Sequence, residues 1–158
     1  MNSFLTNLAA NGRRTDILER IETPAAALTL TRSATLAITT AGTTITWQVE
    51  TRNRGFNWSG TTITIPTAGY YAVQLAIGTS GSQTMAFTRI VNGTTIGGFV
   101  GIFSATNYFS GQATAYYAAG DALQIRLVPG VNTTVTQVAE YAATESPILH
   151  IVQLTGAV

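Results

Sequence analysis

Few side chains in this sequence could perform acid–base, nucleophilic or metal chemistry. The 158 residues include one histidine, no cysteine, and seven carboxylates against eight basic residues. The histidine, His150, lies between Leu149 and Ile151, which favours a buried, hydrogen-bonded ring over a catalytic one. The carboxylates are scattered, apart from Glu140 and Glu145. We therefore expect no enzymatic activity and no cofactor.

Two metal sites remain conceivable from the residues alone. One histidine cannot form a metal cluster within one chain, although a threefold assembly would bring three copies of His150 together. Asp121 follows Gly120 at the start of a predicted strand, where a carboxylate usually accepts backbone hydrogen bonds. Together with Glu140 or Glu145 it could instead bind a cation, but the chain lacks the dense run of oxygen ligands that calcium prefers. The structural role of Asp121 is therefore favoured.

Charge and hydropathy argue against two large classes of partner. All eight basic residues are arginines and the formal net charge is +1, so the sequence offers no basic patch for nucleic acid. No apolar run approaches the roughly 18 residues that a membrane span requires, and we expect no secretory signal peptide. Only 9% of the residues are charged while 46% are hydrophobic. A surface so poor in charge is expected to be partly covered by other subunits.

Residues 1–26 are predicted to form a helical anchoring arm. Two short helical pieces are separated by Asn11-Gly12 and end at Thr23-Pro24. Neither piece can bury its apolar stripe within itself, so the arm needs a surface to lie against. The side chains predicted to make these anchoring contacts are Phe4, Leu5, Leu8, Ile17, Leu18 and Ile21.

From residue 27 onward the pattern changes to short alternating runs rich in Thr, Ile, Val and aromatic residues, which indicates an all-β domain. Asn92-Gly93 is a typical two-residue hairpin turn, and Pro66 to Gly69 interrupts one strand just before the next begins. So many short strands require a two-sheet sandwich or a closed barrel. The predicted strands are 27–31, 34–39, 44–51, 60–65, 70–78, 84–91, 94–103, 107–118, 121–128, 133–139 and 147–154.

Four segments then follow a familiar order: Pro66 with Gly69-Tyr70-Tyr71, Val91-Asn92-Gly93, Phe109-Ser110-Gly111 leading to Gly120-Asp121-Ala122-Leu123, and Ser146-Pro147 before a final apolar strand. In order and spacing, residues 44–155 resemble the C1q-like head, a member of the wider C1q and tumour-necrosis-factor group. The resemblance implies a two-sheet jelly-roll sandwich over 44–158, with 27–43 as an extended linker or the first strands, and a tight homotrimer. Two residues depart from the family pattern: His150, where a small residue is common, and Arg89, where a core aliphatic is usual.

The resemblance also implies which residues contact a neighbouring subunit. Tyr71, Val73 and Leu75 match core positions, and Tyr117 faces the core while Tyr116 faces outward. The last strand is apolar on both alternating sets and must be covered on both sides. A second subunit is the simplest cover, and a lid formed by the arm of the same chain is the alternative. The predicted interface residues are Tyr70, Ala72, Gln74, Ala76, Tyr116, Leu149, Ile151 and Gln153.

Three functions remain open for such a protein. The first is a virion structural protein, a trimeric decoration or cement protein of a tailed bacteriophage, which the arm and residues 23–43 anchor to the major capsid protein or another shell protein. The second is a fibre head that binds a host glycan or receptor, and the third is a bacterial surface C1q-like protein. The arm is too short and too poor in heptads to be the shaft that projects a fibre head. The sequence therefore favours the decoration protein and a location in the virion.

Overall fold

The computed structural model describes residues 25–81, 84–105, 108–136 and 147–155, which form two antiparallel β-sheets. Short alternating runs bounded by Gly, Pro, Asn and Ser form these strands, as the sequence predicts. In chain order the strands are β1 (Ala27–Thr31), β2 (Leu36–Ile38), β3 (Thr43–Thr44), β4 (Val49–Arg54), β5 (Asn57–Ser59), β6 (Thr62–Thr64), β7 (Gly69–Thr79), β8 (Met85–Val91), β9 (Thr94–Gly98), β10 (Val100–Ala105), β11 (Tyr108–Tyr117), β12 (Ala122–Pro129), β13 (Thr133–Thr136) and β14 (Ile148–Thr155).

The two sheets have the strand orders of a jelly roll. The larger sheet runs β10-β11-β7-β14-β1-β4, with β13 joined to both β7 and β2. The smaller sheet runs β5-β6-β12-β8-β9, with β3 joined to β12. Most neighbours within a sheet are distant in sequence, because the chain crosses repeatedly from one sheet to the other. The predicted all-β, two-sheet jelly-roll sandwich is confirmed.

The core lies between the inner faces of the two sheets. Phe87 of the smaller sheet makes edge-to-face contacts with Phe99 and with Phe109, at ring-centroid distances of 6.0 and 6.4 Å. Gly111 faces this aromatic cluster at short range, because a Cβ built there would lie 3.0 Å from the Phe99 Cβ. A second aromatic group forms where Tyr71 makes edge contacts with Phe56 and Tyr117. The contact of Phe87 with Phe109 of β11 joins the two sheets.

The predicted hairpin at Asn92-Gly93 is confirmed. Both residues have positive φ, 50° and 80°, which the two-residue turn between β8 and β9 requires. The Asn92 side chain also accepts a hydrogen bond from the Ala122 amide at 2.9 Å, which attaches the hairpin to β12. Local turn chemistry and a cross-strand bond therefore act at the same residue.

Several strand boundaries differ from the prediction. The predicted strand 44–51 is divided between β3 and β4, the predicted strand 94–103 is interrupted at Phe99, and the short strand β5 was missed. Residues 27–43 contain the first strands and are not a linker, since β1 is paired with β14 on one side and with β4 on the other. Leu28 and Leu30 are buried in the core, so these two side chains are not available for the anchoring contacts predicted for 23–43, which stay a prediction for the rest of the segment.

The predicted anchoring residues lie outside the described residues, as do Glu140, Glu145 and the end of the predicted strand 133–139. These anchoring residues are Phe4, Leu5, Leu8, Ile17, Leu18 and Ile21. Within the ranges that the structure describes, no helix is long and apolar enough to cross a membrane.

The corner before β7 yields a first prediction. The buried Tyr71 hydroxyl donates to the Thr67 carbonyl oxygen at 2.7 Å, so its ring and its hydroxyl hold the corner against the core. We expect Tyr71→Phe to lower the free energy of unfolding by about 1 kcal/mol, because the substitution leaves this carbonyl without its donor. Denaturant titration measures the change.

The control for this prediction is Tyr70→Phe, one position earlier, where the side chain is exposed and the same hydroxyl is removed. The control should change the free energy of unfolding of an isolated subunit by less than about 0.5 kcal/mol. Equal losses in the two variants would contradict the role assigned to the Tyr71 hydroxyl.

Candidate subunit interface

The larger sheet has two unlike sides, which strand β7 displays most clearly. Tyr71, Val73, Leu75 and Ile77 are buried against the smaller sheet. The alternate residues Tyr70, Ala72, Gln74 and Ala76 lie on the opposite side, as predicted from the pleat. We call this opposite side, formed by β11, β7, β14, β1 and β4, the open face. Whether it contacts a second subunit stays a prediction.

One end of the open face is aromatic and aliphatic. Tyr70 is paired with Tyr116 of β11, and their rings meet edge to face with centroids 5.5 Å apart. Next to this pair, Ala72 lies between Thr114 and Val152 in the registers of the adjacent strands. The two tyrosines are 53% and 58% exposed, so more than half of each side chain meets no other part of the described chain.

The centre of the open face is a polar row that crosses five strands. Gln112, Gln74, His150, Thr29 and Arg52 are consecutive partners in the registers of β11, β7, β14, β1 and β4. The His150 Nδ1 and the Thr29 Oγ1 are hydrogen-bonded at 3.0 Å. His150 is therefore hydrogen-bonded as predicted, but it is half-buried on the open face and not in the core.

Exposed hydrophobic side chains are concentrated on this side of the molecule. Of the seven large hydrophobic side chains that the described residues expose, five belong to the open face: Val49, Tyr70, Tyr116, Val152 and Leu154. The solvated side of an antiparallel sheet usually carries polar residues, so a cluster of this kind indicates a contact surface. None of the carboxylates among the described residues lies in the polar row.

The predicted interface residues of the last strand require a correction. Leu149 and Ile151 are fully buried in the core and Gln153 is 7% exposed, so none of the three lies on the open face. The reason is the register, which pairs Leu149 with Leu75 and Ile151 with Val73. Directly paired residues of antiparallel strands point to the same face. The open-face residues of β14 are instead Ile148, His150, Val152 and Leu154.

The open-face residues of β14 could have been identified from the pairing of β14 with β7. Both alternating sets of β14 are apolar, so the local pattern does not distinguish them. The core assignment of Val73 and Leu75 was already available from the sequence. Aligning the last strand with β7 would have transferred that assignment to Leu149 and Ile151.

The two carboxylates among the described residues bind neutral donors. Asp121 accepts from the Asn92 side chain and the Ala118 amide, both at 2.8 Å, which is the turn role predicted for it. Glu50 accepts from the Trp58 indole at 2.6 Å and from the Asn53 side chain at 2.8 Å. In the part of the chain that the structure describes, no group of three His, Asp or Glu side chains could hold a metal ion.

Comparison with known proteins supports the fold but no specific function. No protein-family model matches the chain, and no curated protein is significantly similar to it. Among solved structures, murine APRIL at pH 8.0 superimposes with a TM-score of 0.60 at 18% identity, covering 82% of this chain and 99% of that one. Eiger, a tumour necrosis factor from S. frugiperda, gives 0.58 at 15% identity, covering 85% and 96%. The chain therefore has the tumour-necrosis-factor type of jelly roll that the C1q-like resemblance implied.

The corrected orientation of β14 yields a second prediction. We expect Leu149→Ala to lower the free energy of unfolding by about 2–5 kcal/mol, because it opens a cavity at a fully buried position. Val152→Ala removes a side chain on the open face and should leave the stability of an isolated subunit within about 0.5 kcal/mol. Denaturant titrations at several protein concentrations separate the two effects, since only a loss at a subunit contact depends on concentration. A larger concentration-independent loss for Val152→Ala would reverse the assignment.

Proposed function

We propose that this protein is a non-enzymatic structural head that assembles as a homotrimer through the open face of its larger sheet. The observation that carries the proposal is the concentration of exposed hydrophobic side chains on that face, Tyr70, Tyr116, Val152 and Leu154 among them. Burying such a surface between subunits removes it from water at about 25 cal/mol per Å² of apolar area. The one arginine of the polar row, Arg52, lies on the edge strand β4, so burial at the centre of the row removes no arginine or carboxylate charge from water.

The resemblance to the C1q and tumour-necrosis-factor group supports three subunits over two. In the trimer, the interface residues are Tyr70, Ala72, Gln74, Ala76, Tyr116, Ile148, His150, Val152 and Leu154. The aromatic pair Tyr70 and Tyr116 is the expected anchor of each contact, because buried tyrosines contribute large, rigid contact areas at subunit interfaces.

We further propose that the trimer is a virion decoration protein, anchored to a shell protein by residues 1–26. The composition supports this role, because a surface poor in charge suits extensive contact with other proteins. The position of β1 supports it as well. The Ala26 carbonyl accepts a hydrogen bond from the Gln153 amide at 2.8 Å, at the end of β14 that pairs with Tyr70. Three arms would therefore leave the trimer from the same end and could attach together to one shell.

The proposed interface is tested by charge substitution on the open face. We expect the unmodified protein to sediment as a trimer and Val152→Arg to sediment as a folded monomer, because three arginines would be buried without partners. The matched control is Val131→Arg, which makes the same change at an exposed position between β12 and β13, outside the strands that form the open face. Analytical ultracentrifugation gives the mass and circular dichroism the fold. A monomeric unmodified protein, or a trimeric Val152→Arg variant, would overturn the proposed interface.

The anchoring role is tested by deleting residues 1–24, which leaves every described strand in place. We expect the shortened protein to form the same trimer but to be absent from purified particles, as measured by quantitative immunoblotting of particle fractions. Retained incorporation would exclude the arm as the anchor. Saturable binding of the isolated trimer to host cells or to a glycan array would favour the receptor-binding alternative instead.

A further inference from the structure

Arg89 is the one charged side chain that the described residues bury in the core. It lies on β8, on the same side of the strand as the core residue Phe87, and is 8% exposed. Its backbone is paired with Ile125 of β12 and with Gly97 of β9. A guanidinium in this position is unusual, because arginine keeps its proton at any physiological pH and cannot escape the cost of burial by becoming neutral.

One of the three guanidinium nitrogens of Arg89 donates a hydrogen bond within the described residues. Nη1 donates to the Tyr117 hydroxyl at 3.2 Å, whereas the buried Nε has no acceptor in this part of the chain. Arg32 shows how the same chain satisfies a guanidinium with neutral groups. Its Nε, Nη1 and Nη2 donate to the carbonyl oxygens of Ala34, Thr46 and Thr35 at 2.9, 2.7 and 3.0 Å. Among the described residues, Arg89 has no such set of carbonyl acceptors.

The positive charge of Arg89 also lacks a carboxylate among the described residues. Glu50 binds Trp58 and Asn53, and Asp121 binds Asn92 and the Ala118 amide, so both described carboxylates are occupied elsewhere. Tyr117 supplies a neutral hydroxyl, which offsets only part of the charge. A buried guanidinium with one neutral partner retains most of the free-energy cost of removing its charge from water, and a bound anion would offset that cost.

The unused donors have the geometry that a carboxylate requires. Nε and Nη2 form one edge of the planar guanidinium, and their N–H bonds point in the same direction, so that they can donate to both oxygens of one carboxylate. Nη2 lies at the position where β9 has no side chain, since a Cβ built on Gly97 would be 3.5 Å from it. The register of β8 and β9 is also irregular between Arg89 and Ile90, so Arg89 and Gly97 lie beside a bulge at the edge strand of the smaller sheet.

We propose that Arg89 is the binding residue of a site for a small carboxylate, which enters beside Gly97 and accepts two hydrogen bonds from Nε and Nη2. Tyr117 holds the other edge of the guanidinium and fixes its plane. The site belongs to a single subunit and does not depend on the proposed trimer or on the arm.

Thermal unfolding of the full-length protein in sodium formate tests the site, with sodium chloride at the same ionic strength and pH as the reference. We expect formate to raise the melting temperature of the unmodified protein saturably, by about 4 °C at about ten times its dissociation constant. Arg89→Met should lose this increment. Arg54→Gln removes an exposed arginine with the same change in charge and should retain it. No difference between formate and chloride, or an equal increment in Arg89→Met, would overturn the proposal.

A second measurement keeps the test decisive if Arg89→Met does not fold. The Nε–H signal of a buried arginine can be observed by ¹⁵N nuclear magnetic resonance in the unmodified protein and assigned with Arg89→Lys, which lacks an Nε–H group. We expect this signal to move saturably with formate and not with chloride, at the same midpoint as the thermal effect. A signal that stays fixed throughout the titration would show that formate does not bind there.

Discussion

The structure depends on the strict alternation of strand β7. This strand, Gly69–Thr79, is paired with β11 on one side and with β14 on the other, over most of its length. Because paired residues of antiparallel strands share a face, the burial of Tyr71, Val73 and Leu75 also determines which residues of the two neighbours are buried. A shift of one residue in this register would exchange the buried and exposed side chains of all three strands. The core and the open face are therefore two consequences of one register.

This dependence explains which parts of the fold could be predicted from the sequence. The alternation of β7 and the Asn92-Gly93 turn are encoded locally, and both were predicted correctly. The face of β14 is not encoded locally, because its two alternating sets are equally apolar and only pairing with β7 distinguishes them. Strand β5 was missed for a related reason. Asn57–Ser59 has no strong pattern of its own and is a strand because it pairs with β6 at the sheet edge.

The scarcity of charge explains how polar groups are satisfied in the described part of the chain. Carboxylates accept from indole, amide and backbone N–H groups, and Arg32 donates to carbonyl oxygens, so polar side chains are held by neutral partners. Neutral hydrogen bonds of this kind depend less on salt than ion pairs between exposed side chains do. Arg89 is the exception, because among the described residues its buried guanidinium is hydrogen-bonded only to the Tyr117 hydroxyl. The sequence shows Arg89 as an unusual residue type for its position, and the structure shows that its side chain is buried.

The polar row on the open face has a different role from the apolar residues around it. Apolar contacts such as those of Tyr116 and Val152 favour burial but tolerate sliding, since they have little directional preference. The amides of Gln74 and Gln112 and the ring of His150 require partners with defined geometry once water is removed. In the proposed trimer these groups would therefore set the register between subunits, at a cost in stability that the surrounding hydrophobic contacts offset. The bond between His150 and Thr29 already fixes one ring nitrogen, so the orientation of the row is partly determined within each subunit before any subunits meet.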